Sequence, residues 1–418
     1  MGCPRPRRAR RHRFLIFVLT LFLPALARAQ AAPPPEDPSV AALRREIAEL
    51  RADYEQRLAA LEAKLAALAA AESPPPPQPQ PTPPPQPAPP TGGGAQTANY
   101  FNPAISLIGN YLAVGGHNPE EDLPNSSLRE SEIGLQAVVD PYARADVFLS
   151  FGEQGVEVEE GFVTFTALPA QLLAKVGRMR AGFGKINTLH LHSLPWADEP
   201  LPIVHQLGGE EGWVGTGVSL AKLLPIGDTF TELTVQAFHA DSQNLWATEK
   251  RDELAYNAHY RLFGDLTDAT NLDLGLSYAL GPNGSAPGNQ TTLAGLDFTY
   301  RWKPLRTATY RGAIVRGEVI HSDREQPGGR EGSLGWFLSG EYQLARRWWV
   351  GARIESAERA NDSRSTDDGG ALTLTFNPSE FSQLRGELRR RRYADAVDAN
   401  EVLLQLQFII GAHGAHPF

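Results

Sequence analysis

The stretch that decides the fold lies near the C-terminus: Val402-Leu403-Leu404-Gln405-Leu406-Gln407-Phe408-Ile409-Ile410. Val402, Leu404, Leu406, Phe408 and Ile410 share one parity, and Gln405 and Gln407 share the other. Successive side chains of an extended strand point to opposite faces, so an apolar row backs onto a row of amides. The sequence then ends on aromatic Phe418. A final strand of this kind, half apolar and followed by an aromatic terminus, points to a bacterial outer-membrane barrel whose outer face meets lipid. Gly414 and His416 interrupt the apolar parity before Phe418, so the last seven residues are expected to form a short tail or a weakened assembly signal.

Working outward from this strand, period-two patterning recurs from about residue 100. Leu272, Leu274, Leu276 and Tyr278 oppose Asp273, Gly275 and Ser277. Trp348, Val350, Ala352 and Ile354 oppose Gly351, Arg353 and Glu355. The pattern predicts sixteen strands, at 105–115, 128–139, 142–152, 156–167, 171–183, 212–223, 230–240, 253–263, 270–280, 291–302, 311–321, 333–344, 347–357, 369–376, 382–393 and 400–411. Strands of about ten residues suffice to cross a bilayer when tilted. Long polar or Gly-rich connections are expected at 116–127, 184–211, 241–252, 281–290, 322–332 and 358–368, and tight turns at 140–141, 168–170 and 345–346. Such alternation fits an even barrel with both ends in the periplasm. The expected fold class is all-β: a transmembrane antiparallel β-barrel of about sixteen strands at 100–418, preceded by an N-terminal α-helical coiled coil.

The N-terminal segments carry their own signals. Residues 1–29 read as a signal peptide, with Arg5 to Arg13 as the basic head, Phe14 to Leu23 as the apolar core and Ala27-Arg28-Ala29 as the cleavage site. Residues 39–72 predict a periplasmic coiled coil. Val40, Leu43, Ile47, Leu50, Tyr54, Leu58, Leu61, Leu65 and Leu68 recur in steps of three and four, with a stutter after Tyr54. Residues 73–99 predict a Pro/Gly-rich linker, extended in its proline run.

Charge and composition narrow the function. Cys3, the sole cysteine, leaves with the signal, so a mature chain has no disulfide or Cys-metal chemistry. The signal also removes seven arginines, leaving 32 basic against 48 acidic residues, a net charge of −16. That balance argues against nucleic acid as a partner. No Gly-x-Ser-x-Gly, His-Glu-x-x-His or P-loop motif is present, and neither an enzyme nor a cofactor is expected.

Two groups of residues are candidates for a pore. The first is the long connection 184–211, by strand count the third external loop, carrying His190, His192, Asp198, Glu199, His205, Glu210 and Glu211. A connection of this length is rarely idle, and folding inward it would narrow the lumen. His190, His192 and His205 are also weak metal-ligand candidates, because imidazole suits divalent transition metals but a closed site needs three or four convergent ligands. The second group is a charge ladder on the inward parity of the later strands: Arg316, Glu318, Glu341, Arg353, Glu355, Arg385, Glu387, Arg389 and Arg391. These are expected to form a hydrated, nearly charge-balanced wall. Arg390 and Arg392 fall on the opposite parity and are expected to snorkel at a membrane edge.

The run Glu159-Glu160-Gly161-Phe162-Val163-Thr164-Phe165, followed by Lys175-Val176-Gly177-Arg178-Met179-Arg180-Ala181-Gly182-Phe183-Gly184-Lys185, resembles the strand-to-loop motifs of the phosphate-selective porin O/P family. The resemblance covers about sixty residues between Val156 and Ser219. It implies a sixteen-stranded trimeric porin with an inward third loop, and places Arg178, Arg180 and Lys185 near the constriction. The chain departs from that family in having only six lysines and an acidic, His-bearing third loop, so the likeness implies architecture and diffusion but not phosphate specificity.

The expected function is passage of small hydrophilic solutes or ions, anions included, through a homotrimeric porin in outer-membrane lipid. Two alternatives are metal-ion uptake or binding, and a structural envelope tether with a closed barrel.

Overall fold

A computed structural model describes residues 103–411, apart from 122, 153–154, 228, 243–244 and 249. The signal peptide, the helix at 39–72, the linker at 73–99 and the tail beyond Gly411 lie outside the described residues. The strands in chain order are β1 (Ala104–His117), β2 (Ser126–Asp140), β3 (Ala143–Gly152), β4 (Gly155–Phe165), β5 (Leu172–Arg180), β6 (Val214–Leu223) and β7 (Phe230–His239). The short pair β8 (Asp241–Ser242) and β9 (Trp246–Ala247) follows. Then come β10 (Leu254–Thr267), β11 (Thr270–Pro282), β12 (Gln290–Trp302), β13 (Ala313–Gln326), β14 (Gly329–Ala345), β15 (Trp348–Arg359), β16 (Asp362–Ser379), β17 (Ser382–Arg392) and β18 (Asp398–Gly411).

All but β8 and β9 join one closed antiparallel barrel of sixteen strands, each hydrogen-bonded to its sequence neighbours in the wall. Closure is made by β18, which pairs with β1 from Ser106↔Gly411 to His117↔Asn400. Both ends of the sheet therefore lie at one rim, called here the terminal end; the opposite rim is the loop end. The sixteen strands correspond one for one to those expected from alternation.

Period-two patterning separates the two faces as it should. On β18, Val402, Leu404, Leu406, Phe408 and Ile410 point outward, between 37% and 58% exposed, while Leu403, Gln405 and Gln407 are buried inside. Leu272, Leu274, Leu276 and Tyr278 on β11, and Leu334, Trp336 and Leu338 on β14, extend the same outward apolar surface. Outward aromatics near the terminal end include Phe165 on β4, Tyr342 on β14, Trp348 on β15 and Phe376 on β16. Trp348 stacks on Phe376 there at 4.5 Å between centroids. Such girdles sit where a barrel passes from hydrocarbon to headgroups.

Two expectations about connections are corrected. The segments 322–332 and 358–368 are not long loops: β13 and β14 pair as far as Gln326↔Gly329, and β15 and β16 as far as Arg359↔Asp362. β14 and β16 reach 17 and 18 residues, well beyond the span of about 9–11 that a bilayer requires. Their loop-end extensions are polar on both faces, so they carry strand geometry without strand patterning. In the other direction, residues 303–312 make a long connection at the terminal end. Contrast between the two rims therefore rests mainly on one connection, between β5 and β6.

That connection folds into the barrel. It contains helix α1 (Leu201–Gln206) and two short 3-10 turns at Ile186–Thr188 and Leu191–Ser193. Its apolar side chains Phe183, Ile186, Leu194, Trp196, Ile203, Leu207 and Trp213 build a dry core against inward residues Met179, Phe238, Ala255, Ala279, Leu293, Ile320 and Phe337. Inward Ala255, Ala279 and Gly295 leave room for the loop: a Cβ at Gly295 would lie 2.8 Å from the Phe183 ring. Gly184 and Gly212 bracket it at φ +62° and +63°, a backbone region open to glycine, and a Cβ at Gly184 would overlap Glu318 Oε1.

Candidate functional site: the inward loop and its constriction

The loop is tied to the wall nearly all the way round. Gly182 N–H donates to Gln236 Oε1 on β7, and Asn257 of β10 donates to Gly182 O. Gly184 N–H donates to Ser277 Oγ on β11, and Ile186 N–H to Glu318 on β13. Crossing the lumen, the loop accepts bonds at His192 O from Gln407 and at Trp196 O from Arg385. Ala197 N–H donates to Glu387, and Leu201 N–H to Glu355. Returning, His205 Nε2 lies 2.8 Å from Asp367 on β16, and Gln206 donates to Glu358 O on β15. A polar backbone removed from water needs such partners, and the inward parity supplies them.

The charge ladder is thereby corrected. Glu318, Arg353, Glu355, Glu387, Arg389 and Arg391 do not line open water; all are buried beneath the loop. Arg353, Arg389 and Arg391 converge on Asp198, at 2.7 Å from Oδ1 and at 2.8 and 2.6 Å from Oδ2. Glu355 also pairs with Arg353, Glu401 with Arg389, and Glu121 with both Arg389 and Arg391. A ladder drawn as a hydrated wall is in fact the socket for one loop carboxylate. Burial opposes ionisation of Asp198, but Arg353, Arg391 and Arg389 together hold its carboxyl well below the usual range. Its neighbour Glu199 has no such arginine partner among the described residues, and burial pushes it up to about 8. Of the ladder, Arg316 and Glu341 pair with each other and line the terminal-end cavity with Arg385. Arg390 is exposed at the loop end and pairs with Asp398.

Cavities lie on both sides of the loop. Toward the terminal end are spaces of ≈ 540 and ≈ 290 Å³, with Lys185 in the wall of both. Burial lowers the Lys185 ammonium to about 8. Toward the loop end are spaces of ≈ 420 Å³, beside His205 and Arg359, and ≈ 450 Å³, beside Arg129, Glu210 and Glu211. Arg180 lines both the 290 and the 450 Å³ cavities. Its Nη1 donates to Glu211 O, and its backbone N–H donates to Glu160. Only a layer of side chains, Arg180 with Glu159, Glu160 and His190, separates the two spaces. Arg178, by contrast, shares the outward parity of Val176, donates to Val158 O and meets only the loop-end cavity. Arg180 has the same parity but is the last residue of β5, and of the two only Arg180 borders both cavities.

His190 is enclosed by carboxylates. Nδ1 lies 2.7 Å from Glu132 and 2.9 Å from Glu159, and Nε2 lies 2.7 Å from Glu160. Burial works against its charge, yet hydrogen bonds to Glu132, Glu159 and Glu160 keep its pKa well above the usual value. His192 sits beside it, ring centroids 5.6 Å apart. His205 is not part of this group: it pairs with Asp367 on the other side of the barrel. The carboxylate partners were not among the residues expected from sequence. Glu130 and Glu132 share a face because they are two apart, a readable signal; Glu159 and Glu160 are adjacent, and both turn inward because a β-bulge sits opposite Phe148 and Leu149.

No family model matches the chain. Over 353 residues it is 28% identical to an uncharacterised protein of Aquifex aeolicus, covering 74% of each. Among solved structures it is similar to the anion-selective porin of Comamonas acidovorans, with a TM-score of 0.54 at 12% identity, covering 73% of this chain and 98% of that one. It is also similar to OprB of Pseudomonas putida, with a TM-score of 0.52 at 10% identity, covering 76% and 97%. The outer-membrane channel DcaP of Acinetobacter baumannii matches with a TM-score of 0.50 at 13% identity, covering 74% and 96%. The fold is that of the porin barrels.

Proposed function

We propose that the chain is an outer-membrane porin through which small hydrophilic solutes or ions diffuse, with loop 184–211 as its constriction. One observation carries this reading: polar cavities lie on both faces of the inward loop, and a single layer of side chains at Arg180 divides them. An outward apolar band with aromatic girdles supports a lipid environment. With the loop end outside, both ends of the sheet fall in the periplasm, where the predicted coiled coil at 39–72 would assemble three barrels. One of the porin-fold structures, OmpT of Vibrio cholerae, is described in a trimer form. The resemblance to phosphate-selective porins supports the inward third loop. Selectivity for phosphate is not part of the proposal, because the constriction sets one arginine among several carboxylates.

Liposome swelling with small sugars tests the reading. Full-length protein should permit uptake, and Arg180→Ala should speed it by removing the side chain common to both cavities. No swelling with folded wild-type protein would overturn diffusion and favour the second reading, a closed tether. That alternative draws on the loop's anchorage around most of the wall.

A further inference from the structure

We propose that Glu130, Glu132, His190 and His192 form a binding site for a first-row divalent transition-metal cation. Diffusion does not require this site, and the site does not require diffusion. Each of the four residues offers a ligand atom, and these atoms all lie within 4.8 Å of one another. His192 Nδ1 stands 3.5 Å from Glu130 Oε1 and 3.6 Å from Glu132 Oε2. Those gaps are long for hydrogen bonds, but they match the separation of about 3.4 Å between neighbouring ligands around an ion bound at about 2.1 Å in tetrahedral geometry.

Independent signs point to a ligand. Glu132 is 0% exposed, yet among the described residues its Oε1 has no hydrogen-bond partner, and Glu130 Oε2 is likewise buried without one. Buried carboxylate oxygens are normally satisfied. The charge inventory agrees: with the imidazoles neutral, Glu130, Glu132, Glu159 and Glu160 face only Arg180, and a dication offsets most of the excess negative charge. The surroundings are also suitable. Glu160 Oε1 holds His190 Nε2 at 2.7 Å, leaving Nδ1 toward Glu132. A carboxylate on the far nitrogen of a ligating imidazole fixes its orientation and raises its basicity. Two imidazoles and two carboxylates suit Zn²⁺ and its first-row neighbours better than Ca²⁺ or Mg²⁺, which take oxygen ligands. Bound there, the cation would join β2 to the inward loop.

The test is calorimetric titration of Zn²⁺ into tag-free, full-length protein in detergent at neutral pH. Wild type should bind one Zn²⁺ per chain above the background of its exposed histidines. The double variant Glu130→Gln/His192→Gln should lose that step, or weaken it by at least about tenfold, the scale seen when partners of a metal site are removed. Heat-modifiable gel mobility reports whether each variant is folded. If the double variant does not fold, Zn²⁺ protection of His190 and His192 from diethyl pyrocarbonate in wild type decides: protection upholds the site. Equal binding by a folded double variant, or the lack of both stoichiometric binding and protection in wild type, would overturn it.

Discussion

Replacing Asp198 by Asn should release the inward loop. At an effective dielectric near 20, a pair of unit charges at about 2.7 Å interacts by roughly 6 kcal/mol, so three such pairs are a large gross attraction. Most of that is offset by desolvation, and breaking a buried ion pair from one side costs about 3–5 kcal/mol. The arginines keep other partners, with Glu355 at 3.2 Å from Arg353 and Glu401 at 2.5 Å from Arg389. The lower end, about 3 kcal/mol, is therefore the expected loss. At 1.4 kcal/mol per tenfold change, the population of undocked loop should rise by about 150-fold. Cys3 is the one cysteine of the sequence, so a Cys3→Ser background offers a direct assay. Ala197→Cys places a thiol at a buried loop position, and its labelling rate by a small reagent reports undocking. The rate should increase about a hundredfold with Asp198→Asn. It should not change with Asp398→Asn, which removes only the exposed pair with Arg390. A rate in Asp198→Asn within threefold of the parent would refute the anchoring role assigned to Asp198.

Three further outcomes follow from the same packing. Trp196 meets Phe337 edge-on at 5.4 Å and lies under the Arg353 guanidinium at 4.9 Å, so Trp196→Ala should cost about 3–5 kcal/mol, read as a lowered unfolding midpoint in detergent. Glu199 has a folded pKa of about 8, raised by burial from 4.5, so the folded state binds the extra proton between these values. Stability from this group is full below the unfolded pKa and declines as pH rises through about 8, by up to about 5 kcal/mol, and Glu199→Gln should flatten that slope in urea midpoints measured across pH 4 to 9. Leu406→Arg puts a charge on the outward face and should destabilise the barrel by about 2–4 kcal/mol if Leu406 lies near the bilayer midplane, read from folding titrations into vesicles.

The barrel was legible because lipid imposes a rule on every spanning strand: one parity must be apolar. Val402 to Ile410 show it, and the same rule located the other fifteen strands. It fails beyond the bilayer. Asp362 to Asp367 are polar on both faces, so the β15–β16 extension read as a loop. The site was legible only in part. Length, and the resemblance of 159–185 to porin strand-to-loop motifs, mark 184–211 as the inward segment, but a charge on the inward parity looks the same whether water or a loop faces it. Parity therefore predicts solvated side chains at Arg353 and Arg391, which Asp198 in fact covers. Pairing across the lumen is equally silent in sequence: nothing near His190 names Glu132, and the bulge that turns Glu159 inward has no local residue signature. Glu130 and Glu132 were within reach, since carboxylates two apart on a strand share a face.

The central claim is that the barrel conducts and that its inward loop limits the flow. Single-channel recording in planar bilayers tests it most directly, comparing full-length protein with a form in which residues 186–211 are replaced by a short Gly-Ser connection. Discrete ion-conducting steps should appear in wild type, and larger steps in the shortened form. A folded wild-type protein that gives no steps, while the shortened form conducts, would contradict the account and show the loop to be a closure.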